Sequence, residues 1–321
     1  MMAYLLPTLT LLLLLSLLQS LTESTTFTFT NKCANTVWPG ALSNSGSAPL
    51  ETTGFELTPG SSRAIQASTG WSGRFFARTG CNFDSTNHGS CATADCGSNE
   101  IECNGAGAAP PATLAEFTLA GPSSSKDFYD VSLVDGYNVA MLVEPSGGCS
   151  ATGCAVDLNR RCPAELRVGQ GEAQACRSAC EAFGTPEYCC KGEYANPSTC
   201  RPSVYSEMFK SACPRSYSYA FDDPTSTFTC SSPADYTITF CPDSTPRHKS
   251  TKDAATAAAA TTTTSEPKTK GVMLEGEGGG ESWLASLAIG SGAPSITRGF
   301  WIYQVSLTAA SLVLVLFCFF L

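Results

Sequence analysis

The sequence predicts a mainly β protein, with a β-sandwich or barrel-like core cross-linked by disulfides and joined to a loop-and-helix lobe. Three observations predict it. Short apolar runs with two-residue alternation recur between Phe27 and Phe240, punctuated by Gly, Pro, Asn and Asp. Sixteen of the 17 cysteines lie between Cys33 and Cys241. The two ends of the 321-residue chain are apolar stretches of a different character, set apart from this cross-linked region.

The start, MMAYLLPTLTLLLLLSLLQSLTES, is a leucine block followed by small and polar residues, the pattern of a secretory signal peptide over residues 1–24. Its n-region lacks Lys and Arg, which places cleavage only within Leu21 to Thr26. The globular domain then spans 25–242. Residues 243–290 are rich in Thr, Ala, Ser and Gly and poor in core-forming side chains, so they read as a disordered stalk able to carry O-linked sugars. The one Asn-x-Ser pattern, NPS at Asn196, is blocked by its proline. From Phe300 to Leu321 the chain is uncharged and long enough to span a bilayer, with no basic flank after it. Small residues at Gly290 to Ala293, a short spacer and this tail match a glycosylphosphatidylinositol (GPI) attachment signal over 291–321, with Ser291 the first choice of attachment residue and Gly290 or Gly292 its rivals. A retained transmembrane helix is the alternative.

Within the domain, FTFTN, TVWPGAL, GRFFARTG, TLAEFTLAG, DVSLVDGYNVAMLVEP, TFTC and YTITFC read in that order as strands, the fifth broken by a turn at Asp135-Gly136. Asp130 and Asp135 lie an odd number of residues apart. On one unbroken strand they would face opposite ways, so they share a face only if the chain turns between them. Between Cys149 and Cys213 the cysteines crowd and strands fade. GEAQACRSACEAFG, Gly171 to Gly184, has helical character and ends at a glycine C-cap, and SVYSEMFKSAC is a second, weaker helix.

Composition excludes several functions. Asp and Glu number 21 from Thr25 to Pro242 against 13 Lys and Arg, a net charge of −8, opposite to what nucleic acid or an anionic membrane surface attracts. There is no phosphate-binding loop or dinucleotide fingerprint, and no cofactor is expected. His88 and His248 sit in polar, loop-like contexts unsuited to activating a Ser or Cys nucleophile. An even cysteine set in a secreted chain indicates disulfides, with zinc ligation of pairs such as Cys176 and Cys180 the weaker alternative, and no metal site is assigned. Spacing alone does not choose the pairing. Carboxylates remain, and a pair of them is the usual machinery for cleaving glycosidic bonds.

The run Gly89, Cys91, Thr93, Asp95, Cys96 in HGSCATADCGSNEIEC resembles the hallmark of thaumatin-like proteins, the plant pathogenesis-related family 5. CAVDLNRRCPAEL, EYCC, YSEMFKSACP and YSYAFDDPTSTFTC extend the resemblance from about Phe27 to Pro242. It implies a β-sandwich core, a disulfide-rich helical lobe and a small hairpin lobe. It also implies the pairs Cys33–Cys241, Cys81–Cys91, Cys96–Cys103, Cys149–Cys230, Cys154–Cys213, Cys162–Cys176, Cys180–Cys189 and Cys190–Cys200.

The resemblance further implies an acidic cleft between core and helical lobe, lined by Arg74, Glu116, Asp130, Asp135 and Asp222, with Arg78 a rival to Arg74. Its expected ligand is β-1,3-glucan or another cell-wall polysaccharide, bound by a monomer at the outer face of the plasma membrane or in the wall. The alternatives are a weak endo-β-1,3-glucanase, with Glu116 as acid and Asp135 as base, and a non-catalytic protein-interaction or inhibitor module using the helical lobe. Antifungal defence is implied by the family alone. Phe76, Phe83, Tyr137 and Phe221 are candidates for stacking on sugar rings, with the core as the commoner place for such aromatics. Asp95 is expected to satisfy backbone donors in a tight loop. Three departures stand out: Asn87 in place of a usual Gly, Ala140 in place of a common Pro, and the long C-terminal tail.

Overall fold

Alternation puts Phe27 and Phe29 on the buried face of β1 (Ser24–Asn31), with Thr28 and Thr30 between them on the other. The computed structural model describes residues 24–243 apart from positions 123, 172–173 and 232–233. Nearly all of the expected signal peptide and stalk, and the whole attachment signal with Ser291, lie outside the described residues. Among the described residues no helix is long and apolar enough to cross a membrane.

Strand β1 sits inside a five-stranded sheet. It pairs in parallel with β14 (Tyr236–Phe240) and antiparallel with β3 (Ser62–Ser68), and β9 (Met141–Pro145) and β10 (Thr152–Cys154) extend the sheet beyond β14. The first and last strands of the domain are thus neighbours, and the Cys33–Cys241 disulfide closes them just past their ends. The second sheet runs β13 (Phe228–Cys230), β8 (Asp127–Ser132), β7 (Leu114–Thr118), β4 (Ser72–Arg78) and β2 (Trp38–Ser43). Pro39 is confined to β2 at its edge, where a missing N–H costs least. Phe27 fills the space between the sheets, with Trp71, Phe75, Phe117 and Tyr236 at centroid distances of 4.7–5.6 Å.

The second sheet is covered on both faces. Phe75, Ala77, Ala115, Phe117, Tyr129 and Val131 enter the sandwich. Phe76 and Leu114 point the other way and pack with Ala94, Cys96, Cys103 and Ala112 of the hairpin lobe, which holds the ribbon β5 (Asn82–Phe83) and β6 (Gly89–Ser90). Arg78 on that same face is 1% exposed. Its guanidinium donates to Trp38 O at 3.1 Å, Glu100 O at 3.3 Å and Ile101 O at 2.6 Å, which ties the lobe to the sheet. In the same lobe Asp95 accepts from the backbone N–H of Cys91 and of Gly97.

The cysteine-rich lobe carries the ribbon β11 (Arg167–Val168) and β12 (Ala175–Cys176), then α1 (Ala179–Phe183), α2 (Pro186–Cys189), α3 (Val204–Ala212) and α4 (Asp223–Ser226). Its own small core joins Leu133, Tyr137, Leu158, Leu166 and Phe209. Among the described residues there are eight disulfides, in the pairing the resemblance implies.

Several elements differ from expectation, with β10, β11, α2 and α4 answering to no expected strand or helix. The helix expected over Gly171 to Gly184 forms only at its end, where Ser178 caps α1 and Gly184 closes it at φ 66°. Upstream, Cys176 exchanges two backbone hydrogen bonds with Tyr137, which draws the chain out into β12. Strand β3 was not among the expected elements, because SRAIQAS buries only Ile65 and Ala67 and its alternation is faint. Phe76 and Tyr137 are core side chains, 0% and 1% exposed, so neither can stack on a ligand.

Phe27→Ala removes a fully buried ring touched by four others and should cost about 3–5 kcal/mol in urea unfolding with the disulfides kept oxidised. A loss below about 1 kcal/mol would mean that the two sheets close over the vacated space.

Candidate functional site

Register, rather than sequence proximity, assembles the site. Antiparallel pairing sets Arg74 of β4 opposite Glu116 of β7, and Glu116 opposite Asp130 of β8. The three form one row across the sheet face turned away from the sandwich. Arg74 Nε lies 3.7 Å from Glu116 Oε1. Past the end of β8 the chain turns, with Gly136 N donating to Leu133 O at 3.0 Å. Gly136 has φ +89°, and a Cβ there would meet Cys176 O at 2.7 Å and Pro111 Cβ at 2.8 Å, so only glycine fits. This turn resolves the odd spacing of Asp130 and Asp135, for it carries Asp135 back to the side of the sheet that bears Glu116.

Arg74, Glu116 and Asp135 line one wall of a cleft of about 470 Å³ between this sheet and the cysteine-rich lobe. The other wall includes Tyr188, Lys191, Arg201 and Tyr205, with Tyr219 and Phe221 also in the lining. Of the aromatics expected from sequence, Phe221 lines the cleft. Phe83 lies in the hairpin lobe beside Trp38, at 6.1 Å, and the Arg78 guanidinium, at 5.8 Å. Tyr188, Tyr205, Tyr219 and Lys191 were missed. No periodicity marks them, since they come from short helices and loops held by cross-links.

Two of the expected acids lie elsewhere. Asp130 is 0% exposed beneath the cleft, and neither carboxyl oxygen has a hydrogen-bond partner among the described residues. Asp222 does not line the cleft. Its carboxylate accepts from Ser218 N at 3.0 Å, Ser218 Oγ at 2.9 Å and Thr225 Oγ1 at 3.0 Å, and Lys210 Nζ of α3 is 3.0 Å away. It therefore fastens the loop around α4 onto α3. Between the rival arginines, Arg74 is in the cleft and Arg78 is spent on the hairpin lobe.

Burial governs the charges. Glu116, 3% exposed, is pushed up to about 7, first by burial and further by Asp135, with Arg74 opposing. Asp130 is held well above the usual carboxylate range, again by burial first and then by Glu116. An unpartnered buried carboxylate is costly, and keeping the proton avoids that cost. Asp135 is raised by burial, with Arg74 and Lys191 countering. The cleft can therefore offer hydrogen-bond donors and acceptors from carboxyl groups that share few protons among them, beside fixed cations and aromatic faces.

The thaumatin family model matches residues 31–242. A thaumatin-like protein 1 from Arabidopsis thaliana is 68% identical over 229 residues, covering 68% of this chain and 87% of that protein. Pathogenesis-related protein 5 of Arabidopsis thaliana is 57% identical over 223 residues, covering 68% of this chain and 91% of its own length. A PR5-like receptor kinase from the same plant is 50% identical over 229 residues, which are only 34% of that longer protein.

Because Glu116 titrates higher folded than unfolded, the folded domain binds extra protons between the ordinary 4.5 and about 7. Its stabilising contribution is fully present below pH 4.5 and is lost as pH rises through about 7. Asp130 and Asp135 act in the same direction. Glu116→Gln cannot titrate, so from pH 4.5 to 8 its stability in urea should rise relative to the parent by on the order of 3 kcal/mol. A difference that stays constant with pH would show that Glu116 ionises as an ordinary carboxyl group.

Proposed function

The chain belongs to the thaumatin family, and on that premise we propose that it binds β-1,3-glucan or a related neutral cell-wall polysaccharide through the cleft of Arg74, Glu116 and Asp135. It is a thaumatin-like, pathogenesis-related protein. Proteins of this kind are generally secreted. One observation carries the proposal: buried, partly protonated carboxyl groups and aromatic side chains line the same cleft. Sugar hydroxyls take hydrogen bonds from the first, and the C–H faces of pyranose rings suit the second. In this function Asp130 lies buried beneath the cleft with its carboxyl raised by burial and by Glu116, and Asp222 keeps the cleft's loop in place.

A second reading, weak endo-β-1,3-glucanase activity, is favoured by Glu116 alone. A carboxyl group near 7 retains the proton a general acid must give to the leaving oxygen, and Asp135 would activate the water. Pull-down on insoluble β-1,3-glucan, run with an assay for newly released reducing ends, separates the two. Glu116→Gln and Asp135→Asn should each weaken pull-down at least about tenfold. Turnover that is lost in both variants would make the site a hydrolase. No binding by the parent protein would overturn the proposal.

We further propose that the protein is held at the outer face of the plasma membrane by a lipid attached at Ser291, which the order of small residues, spacer and apolar tail supports. Phosphatidylinositol-specific phospholipase C should then release it from intact cells, and a bulky residue at Ser291 should abolish the release. A retained helix would resist the enzyme.

A further inference from the structure

Three rings from three separate helices meet on the cysteine-rich lobe. Phe183 closes α1, Tyr188 lies in α2, and Tyr205 is in the first turn of α3. Ring centroids are 5.6 Å apart for Phe183–Tyr188, 5.4 Å for Phe183–Tyr205 and 6.1 Å for Tyr188–Tyr205. The arrangement is fixed from several sides. The Cys180–Cys189 disulfide joins α1 to α2, Ser203 and Ser206 form a capping box at the start of α3, and Tyr205 Oη donates to Glu165 Oε1 at 3.1 Å.

This cluster is not buried as a core would be. Phe183 is 40% exposed, and Val204, the neighbour of Tyr205, is 73% exposed. They are the two exposed large hydrophobic side chains among the described residues. Tyr188 and Tyr205 also line the cleft that Glu116 and Asp135 line. Apolar surface held rigidly in water beside a cleft marks a contact surface. Its ligand is constrained by charge. Glu181 and Glu187 stand in the lining with Lys191 and Arg201, so neither sign dominates and a strongly charged partner gains nothing.

Building on the glucan-binding function proposed above, we infer that Phe183, Tyr188 and Tyr205 form a stacking subsite that carries a neutral β-linked glucan chain out of the acidic cleft and over the helical lobe. The carboxyl groups fix one sugar through its hydroxyls, and the rings receive the C–H faces of the units that follow. Affinity should therefore grow with chain length, and the growth should depend on the rings.

The test is titration calorimetry of the whole secreted protein against a β-1,3-linked glucose trisaccharide and a long soluble β-1,3-glucan. Phe183→Ala should weaken the long chain by about tenfold and leave the trisaccharide within about twofold of the parent, whereas Tyr188→Ala, whose ring also lines the cleft, should weaken both ligands and the long chain more. Tyr205→Phe keeps the ring and should keep the growth of affinity with chain length. Glu116→Gln should weaken both ligands. Unchanged affinity of the two alanine variants for the long chain, with Glu116→Gln still impaired, overturns the subsite and leaves the cleft function standing. No binding of either ligand by the parent overturns both. Unaltered near-ultraviolet circular dichroism of Phe183→Ala outside the aromatic cluster's own signal separates lost contact from lost fold, and equal weakening of both ligands by the alanine variants would also reject the subsite.

Discussion

The pairing of β4, β7 and β8 within a sheet covered on both faces is the constraint from which the rest follows. One face of these strands supplies Phe75, Phe117 and Tyr129 to the sandwich. The other supplies Arg74, Glu116 and Asp130 in a single row. A one-residue slip of any strand would exchange the two sets, placing acids in the aromatic core and rings in the cleft. The core therefore enforces the site. The free energy of burying the aromatic side chains holds three ionisable groups where they repel or desolvate one another.

That placement decides which electrostatic effect wins. For Glu116 burial outweighs the attraction of Arg74, and its carboxyl rises rather than falls. Arg74 at 3.7 Å is too loosely engaged to repay the loss of water around the carboxylate. Asp130, whose oxygens find no hydrogen-bond partner among the described residues, lies further along the same scale. Asp222 shows the alternative outcome, since three hydrogen bonds and Lys210 satisfy its carboxylate and commit it to holding a loop. Four acids from one sequence signature thus take different roles because their surroundings differ.

The cysteine-rich lobe faces that site with little hydrophobic core of its own. Its helices are of four, five and nine residues, too short to be stable unaided. Disulfides such as Cys180–Cys189 and Cys190–Cys200 replace the missing core by restricting the unfolded chain. Because cohesion comes from covalent links, the lobe can leave Phe183 exposed at the rim of the cleft.

Alternation and punctuation were enough to show the mainly β core, and cysteine count to show its cross-linking. FTFTN, GRFFARTG and YTITFC declare themselves because burial on one face of a strand leaves a period of two in the residues. A strand of small residues such as SRAIQAS leaves almost none, and a helical pattern such as that from Gly171 yields to the two backbone hydrogen bonds that Cys176 exchanges with Tyr137. The residues Arg74, Glu116 and Asp135 could be named from motif resemblance, but resemblance did not distinguish an acid that lines the cleft from one beneath it. Asp130 and Asp222 are told apart only by burial and by hydrogen-bond partners, which are properties of the folded surroundings. The aromatic wall of Tyr188 and Tyr205 was beyond the sequence for the same reason. Local pattern records which face of an element is buried, whereas a site built by register, turns and cross-links brings together residues whose separation along the chain carries no period.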